Sequence, residues 1–269
     1  MNEYKRKILS LVFVSLLATA TILTTTSSTF AHGKIVVTNR GSASISVIDV
    51  KTDTITGTYA LPDNGEPMYV VHSSAYRRMF VGDRTNDRVV VFDDEDFEIQ
   101  TTISTGDGVF HMWGDPSAKQ LWVNNDGDKT ITVINMKTLA VVTTIPTPAD
   151  LVAIGGKPHD VVLDPASRFA YITMIGLPGP DVVVQYSTAT FSEVGRTAVG
   201  EDPHLSLARQ NHLLYVPCQN TNNIFVLDRD TLALIVPPLP IPSVHGAGMA
   251  RNGKHSTRRV SPAVALLGL

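Results

Sequence analysis

A pattern of forty-odd residues recurs five times between Lys34 and Asp228, and no other feature of the chain restricts its fold as tightly. Each unit opens with an apolar run: KIVVTN at 34–39, RMFVGD at 78–83, LWVNN at 121–125, AYIT at 170–173 and LYVP at 214–217. A polar turn leads to a second run: ISVID at 45–49, VVVFD at 89–93, ITVIN at 131–135, VVVQY at 182–186 and IFVLD at 224–228. The closing residues at 49, 93, 135, 186 and 228 are 44, 42, 51 and 42 apart, the long step holding an insertion near 151–154 and the LPGP loop at 177–180. A third run follows, as in TITGTY at 54–59. A fourth, short one is introduced by Gly and often Pro (GEPM at 65–68, GKPH at 156–159, GEDPH at 200–204).

Four short β-rich segments per unit, joined by Asp, Asn, Thr and Lys turns without an amphipathic helix, describe one four-stranded propeller blade. Such a unit cannot bury its own faces, so neighbours must stack. The expected fold is all-β, a β-propeller of four-stranded blades with about five blades present. Residues 34–61 supply three outer strands, complete blades follow at 66–104, 109–145, 157–199 and 203–236, and an inner strand near 244–250 is expected to join the first three and close the ring.

The strand starts of hydrophobic-aromatic-Val-x-Asn type, the apolar strands ending in Asp and the Gly-x-Pro lead into the inner strand resemble the YVTN-repeat propellers. That family includes periplasmic YncE-like proteins and is related to the haem-binding propeller domain of nitrite reductase. The resemblance spans about residues 34 to 255 and implies a propeller; its marks are core and turn positions, which specify fold far more than function. Relatives commonly have seven blades. The pattern lapses at HSTRR (255–259), where another strand start is due, so the reading expects a chain truncated or altered after about Lys254.

The first thirty residues differ from the rest. Lys5, Arg6 and Lys7 precede an apolar run from Ile8 to Ile22, and Thr29-Phe30-Ala31 places small residues at the −3 and −1 positions of a cut after Ala31. This is the layout of a secretory signal peptide, and the run is short of the roughly 20 residues that a membrane span needs. The expected organisation is a signal peptide at 1–31, a propeller at 32–255 and a non-repeat tail at 256–269, in a periplasmic or secreted protein with no transmembrane domain after cleavage. A formal net charge of −3 provides no basic field for phosphate backbones, so nucleic acid is not an expected partner.

Propeller ligands sit where inner strands from several blades converge. Aligned on the aromatic of the following strand, the start of the inner strand reads Met68, His111, His159, His204 and His245; the first four precede Phe80, Trp122, Tyr171 and Tyr215 by 12, 11, 12 and 11 residues. Imidazole is the commonest protein ligand for transition metals, so four histidines at one channel mouth are a candidate site for Cu, Zn or a haem iron. The competing reading is that duplication copied a histidine that caps each strand by a hydrogen bond. Two functions therefore stand: an extracytoplasmic binding or scaffold protein that takes a protein partner or small ligand at the channel-mouth face, and a metal- or haem-binding redox protein built on this cluster.

The remaining candidates are weaker. His32 would be the N-terminus after cleavage; Cys218, the only cysteine, falls in a loop expected on the histidine face; Arg40, Arg84 and Arg88 offer guanidinium forks; and Asn124, Asn125, Asp126 and Asp128 resemble part of a calcium loop that lacks its closing Glu. Trp113 and Trp122 are expected to fill blade interfaces. There is no Cys-x-x-Cys-His, phosphate-binding loop, nucleophile elbow or His-Glu-x-x-His, which excludes covalent c-type haem and leaves no visible hydrolytic nucleophile.

Overall fold

The computed structural model describes residues 33–207, 211–249, 255–260 and 264–268, and side chains as far as residue 248. The signal-peptide reading and His32 lie outside the described residues. Among the described residues, twenty-two strands form six antiparallel sheets, each made of consecutive strands. Blade 1 has three, β1 (Lys34–Asn39), β2 (Ser44–Asp49) and β3 (Thr54–Ala60). Blade 2 is β4 (Pro67–Ser73), β5 (Arg78–Asp83), β6 (Arg88–Asp93) and β7 (Ile99–Ser104). Blade 3 is β8 (Val109–Gly114), β9 (Gln120–Asn125), β10 (Thr130–Asn135) and β11 (Val141–Pro146). After a short helix α1 (Ala149–Ala153), blade 4 is β12 (Lys157–Leu163), β13 (Phe169–Ile175), β14 (Val182–Ser187) and β15 (Glu193–Ala198). Blade 5 is β16 (Ser206–Leu207), β17 (Leu213–Cys218), β18 (Asn223–Asp228) and β19 (Leu234–Pro240). Blade 6 has three strands, β20 (Val244–Met249), β21 (His255–Val260) and β22 (Val264–Gly268).

Strand alternation explains the stacking. Met79 and Val81 of β5 face Ile45 and Val47 of blade 1, while Phe80 between them packs with Leu121 and Val123 of blade 3. Both faces of a middle strand are thus buried, which is why these strands read as almost unbroken apolar runs. The aromatic at each strand start goes to the following blade: Phe80 to blade 3, Trp122 to blade 4, Tyr171 to blade 5 and Tyr215 to blade 6.

The turns repeat as faithfully as the core. Oδ1 of Asp49 accepts from the amides of Lys51 and Thr52, and Asn135 does the same for Lys137 and Thr138, all at 2.9 Å. The residue four places on adopts the left-handed region in every unit: Asp53, Phe97, Leu139, Phe191 and Leu232 have φ of 53°, 62°, 63°, 57° and 58°. That conformation costs non-glycine residues roughly 1–2 kcal/mol. Burial of Phe97 and Leu232 in the inter-blade clusters offsets it.

Two details differ from the sequence expectation. In the fourth unit the turn bond runs from the Phe191 amide to the Ser187 carbonyl, so the equivalent of Asp49 is Ser187, one residue beyond Tyr186. The inner strand β20 pairs with β21, with Val244 opposite Val260, and does not complete the sheet of β1–β3. The region read as a non-repeat tail thus contributes β21 and β22. Among the described residues the first three strands have no inner strand, and Ile35 and Val37 on β1 are exposed.

Candidate metal centre

Inner strands β4, β8 and β12 share one irregularity. Pro67 pairs with Asp83 and Val70 with Val81, leaving Met68 and Tyr69 opposite Gly82 alone. In the same way Phe110 and His111 oppose Asn124, and His159 and Asp160 oppose Thr173. Two residues against one is a β-bulge, a device that bends the strand and re-aims side chains. The bulges create two columns in place of the one expected: Met68, Phe110 and His159 in the first, Tyr69, His111 and Asp160 in the second. His204 lies just after the isolated pairing of Pro203 with Cys218 and just before β16.

The second column is joined by hydrogen bonds across three blades. Tyr69 Oη lies 2.5 Å from His111 Nε2, and His111 Nδ1 lies 2.7 Å from Asp160 Oδ1. Asp160 also accepts from the amides of Val161 at 2.7 Å and Leu205 at 2.8 Å, and its Oδ2 is 3.8 Å from His204 Nδ1. The opposing residues hold the bulge of β12 in place. Thr173 Oγ1 accepts from the Asp160 amide at 2.8 Å, and Asn124 Nδ2 donates to the carbonyls of His159 and Asp160 at 3.0 and 3.1 Å.

Among the described residues, His111, His159 and His204 form a group in which one ligand atom from each lies within 4.8 Å of the others. An ion about 2.0–2.1 Å from three imidazole nitrogens in tetrahedral array sets them about 3.4 Å apart, so closure needs each ring to move by less than about 1 Å. Two nitrogens, His159 Nδ1 and His204 Nε2, are buried with no hydrogen-bond partner. Buried polar atoms are normally satisfied, and this orphan pair beside a third imidazole has the donor chemistry that fits a transition-metal ion.

Electrostatics prepare the same chemistry. Burial, followed by the neighbouring His111 and His204, pushes the His159 imidazole down from 6.5 to about 4. Burial also lowers His204, with Asp160 opposing and His245 assisting. Burial would raise the Asp160 carboxyl, but the bond and charge of His111, the Leu205 amide and His204 outweigh it and hold the group below its usual range. Burial and the Asp160 charge lift the Tyr69 phenol to about 12. At neutral pH His159 and His204 are therefore uncharged donors beside one buried carboxylate, which suits a divalent cation.

Of the four histidines in the expected column, the structure brings three together. His245 stands beside them, its ring 4.3 Å from that of His204, but it is exposed and bonds Gln219 through Nδ1. Sequence reasoning missed Tyr69 and Asp160, each adjacent to a column residue. The available signal was the one-residue slip in spacing at His111, which puts it in the second bulge position with Tyr69 and Asp160 while Met68 and His159 hold the first. The other candidates are consumed structurally. Arg40 pairs with Glu66, Arg84 with Asp126, and Arg88 with Asp83 and Asp63. Asn124 and Asn125 donate to protein acceptors as strand residues. Cys218 is fully buried in the core between blades 4 and 5, and burial pushes its thiol up to about 12. Trp122 fills a blade interface as expected. Trp113 does not, and is 45% exposed.

With the geometry established, comparison with known proteins is informative about the fold. Residues 69–234 match the family described as lactonase, 7-bladed beta-propeller. No curated protein sequence matches the chain. Among solved structures, a putative 6-phosphogluconolactonase from Bacteroides uniformis is similar with a TM-score of 0.65 and 16% identity, over 78% of this chain and 68% of that one. The dihydro-heme d1 dehydrogenase NirN in complex with DHE gives a TM-score of 0.67 at 15% identity; 88% of this chain matches 51% of that one, so the present chain spans about half its length. A chain of the mitotic checkpoint complex gives 0.71 at 14% identity, over 85% and 69%. Identities this low carry the propeller architecture and nothing finer.

Proposed function

The chain belongs to the seven-bladed lactonase β-propeller family, and from that premise we propose that it is an extracytoplasmic binding protein that holds a divalent transition-metal ion at its axial face. His111, His159 and His204 supply the ligands, and three protein nitrogens leave a coordination position for a small ligand. The observation that carries this reading is the pair of partnerless buried nitrogens on His159 and His204. Asp160 acts from behind, fixing the ring of His111 as carboxylates do for metal-bound histidines and adding its charge beside His204. Within the propeller family we place the chain in the YVTN-type branch, a reading supported by strand starts such as LWVNN at 121–125. The extracytoplasmic setting is supported by the charged and apolar layout of residues 5–31. Among the described residues no helix is long and apolar enough to cross a membrane. The activity in the family's name does not travel with the fold, because blade cores define the match and side chains at the axis define chemistry.

Elemental analysis of protein purified without an affinity tag tests the reading. One equivalent of Zn or Cu is expected, reduced below a tenth in His159→Ala/His204→Ala with the fold retained. A wild-type protein that neither retains nor takes up stoichiometric metal after dialysis against Zn(II) would overturn it.

A further inference from the structure

A cavity of about 770 Å³ opens directly beside this centre. Tyr69, His111 and Asp160 line one end, and Met112, Trp113, Val162 and Leu205 line the body. Its far end is formed by the turns after β4 and β8, from Ser73 to Ala75 and from Asp115 to Ala118, so it follows the inner strands from the histidine face towards the opposite face.

The polarity is divided along that path. The upper end presents a phenol hydroxyl, an imidazole and a carboxylate; the body presents a thioether, an indole and branched aliphatic chains. Small-molecule sites combine an apolar lining with a few convergent polar groups in this way, and at volumes of several hundred Å³. Trp113 is the informative member. The other tryptophan, Trp122, has no exposed surface, whereas Trp113 leaves nearly half of its surface uncovered while facing a cavity. It lies two residues beyond His111 on β8, and a strand rises by about 3.3 Å per residue, so the backbone positions that carry indole and imidazole are about 7 Å apart along the strand. One aromatic ring with an oxygen substituent spans that distance.

We infer that this cavity binds a small aromatic molecule bearing an oxygen donor, a phenol or catechol, with its ring stacked on Trp113 and its oxygen at the His111–Tyr69 end. The inference rests on the axial face being the ligand site and names the ligand class that the site takes. A metal on His111 Nε2 displaces the Tyr69 hydroxyl now beside that nitrogen, which frees the phenol to donate to the ligand oxygen. In the metal-free protein both nitrogens of His111 are taken, by Tyr69 and Asp160, and the Tyr69 oxygen alone accepts from the ligand hydroxyl, so ring binding and metal binding are separable.

The probe is 4-nitrocatechol, titrated calorimetrically into chelator-treated and Zn-loaded protein. One molecule per chain is expected in both, more tightly with Zn and with the nitrocatecholate absorption shifted. Trp113→Ala should weaken binding about tenfold or more in both forms, and Trp113→Phe should restore most of it. Trp122 emission and the melting temperature report that both variants are folded. Binding to metal-free protein that depends on Trp113 supports the inference even where no Zn loads, an outcome that would sink the metal reading alone. No binding to either form, or equal binding by wild type and Trp113→Ala, overturns the inference while leaving metal stoichiometry to stand.

Discussion

Replacing Asp160 with Asn removes one charge and no volume, yet the structure predicts a large effect. Asp160 receives three donors: the Val161 amide and His111 Nδ1 at one oxygen, and the Leu205 amide at the other. Asn has a single acceptor oxygen. If that oxygen faces Val161 and His111, its NH₂ confronts the Leu205 amide; if it faces Leu205, the NH₂ confronts the Val161 amide and forces His111 to carry its proton on Nε2. Either way one buried backbone donor is left unpaired, a cost of about 1–3 kcal/mol, and a charge-assisted bond is weakened as well. The sum is about 2–4 kcal/mol. With an m-value of about 3 kcal/mol/M, the urea midpoint of metal-free Asp160→Asn should fall by about 1 M at unchanged slope. Zn affinity should also fall, by about 10–100-fold, because the His111 ring loses its orienting acceptor. A midpoint within about 0.2 M of wild type, together with unaltered Zn affinity, would refute the bulge network as the support of the site.

Other outcomes follow from single residues. In chelator-treated protein, His159 titrates near 4 when folded and near 6.5 when unfolded. The unfolded chain thus binds more protons between those values, and stability present above pH 6.5 should drain away down to pH 4, by at most about 3 kcal/mol from this group. His204 acts in the same direction, Asp160 adds its own loss only below about pH 4, and His159→Asn should flatten the dependence of melting temperature on pH between 4 and 6.5. Trp122→Ala empties the interface between blades 3 and 4 and should cost about 3–5 kcal/mol in chemical denaturation. Cys218 should resist a thiol reagent in the native protein at pH 8 and react at once in 6 M urea; fast native labelling would contradict its burial.

The repeat was legible because its cause is local and is copied. Alternating residues such as Met79, Phe80 and Val81 must find a neighbour on each side, and the αL turn four residues after Asp49 or Asn135 recurs with its Asx bond. The histidines were legible as a column, but their partners were not. A β-bulge inserts one residue without changing composition, and it is the register of β8 against β9 that separates Phe110 from His111 and aligns Tyr69 with His111 and Asp160. Asp160 is not singled out by the sequence because the amides that capture it belong to residues 161 and 205, on different blades. Trp113 was misplaced for another reason: it pairs with Trp122 and shares its sheet face, but it stands on the innermost strand, where that face meets the axial cavity and not a blade core. Ring closure by residues 244–250 failed because sequence periodicity names a strand without naming its neighbour; β20 found β21 instead.

X-ray absorption at the zinc edge of the untagged, Zn-loaded protein reads the coordination sphere itself. Three imidazole nitrogens at about 2.0–2.1 Å with one further light ligand are predicted, falling to at most one imidazole in His159→Ala/His204→Ala. A six-oxygen shell without imidazole scattering, or a sulfur neighbour at about 2.3 Å, would contradict the centre described above.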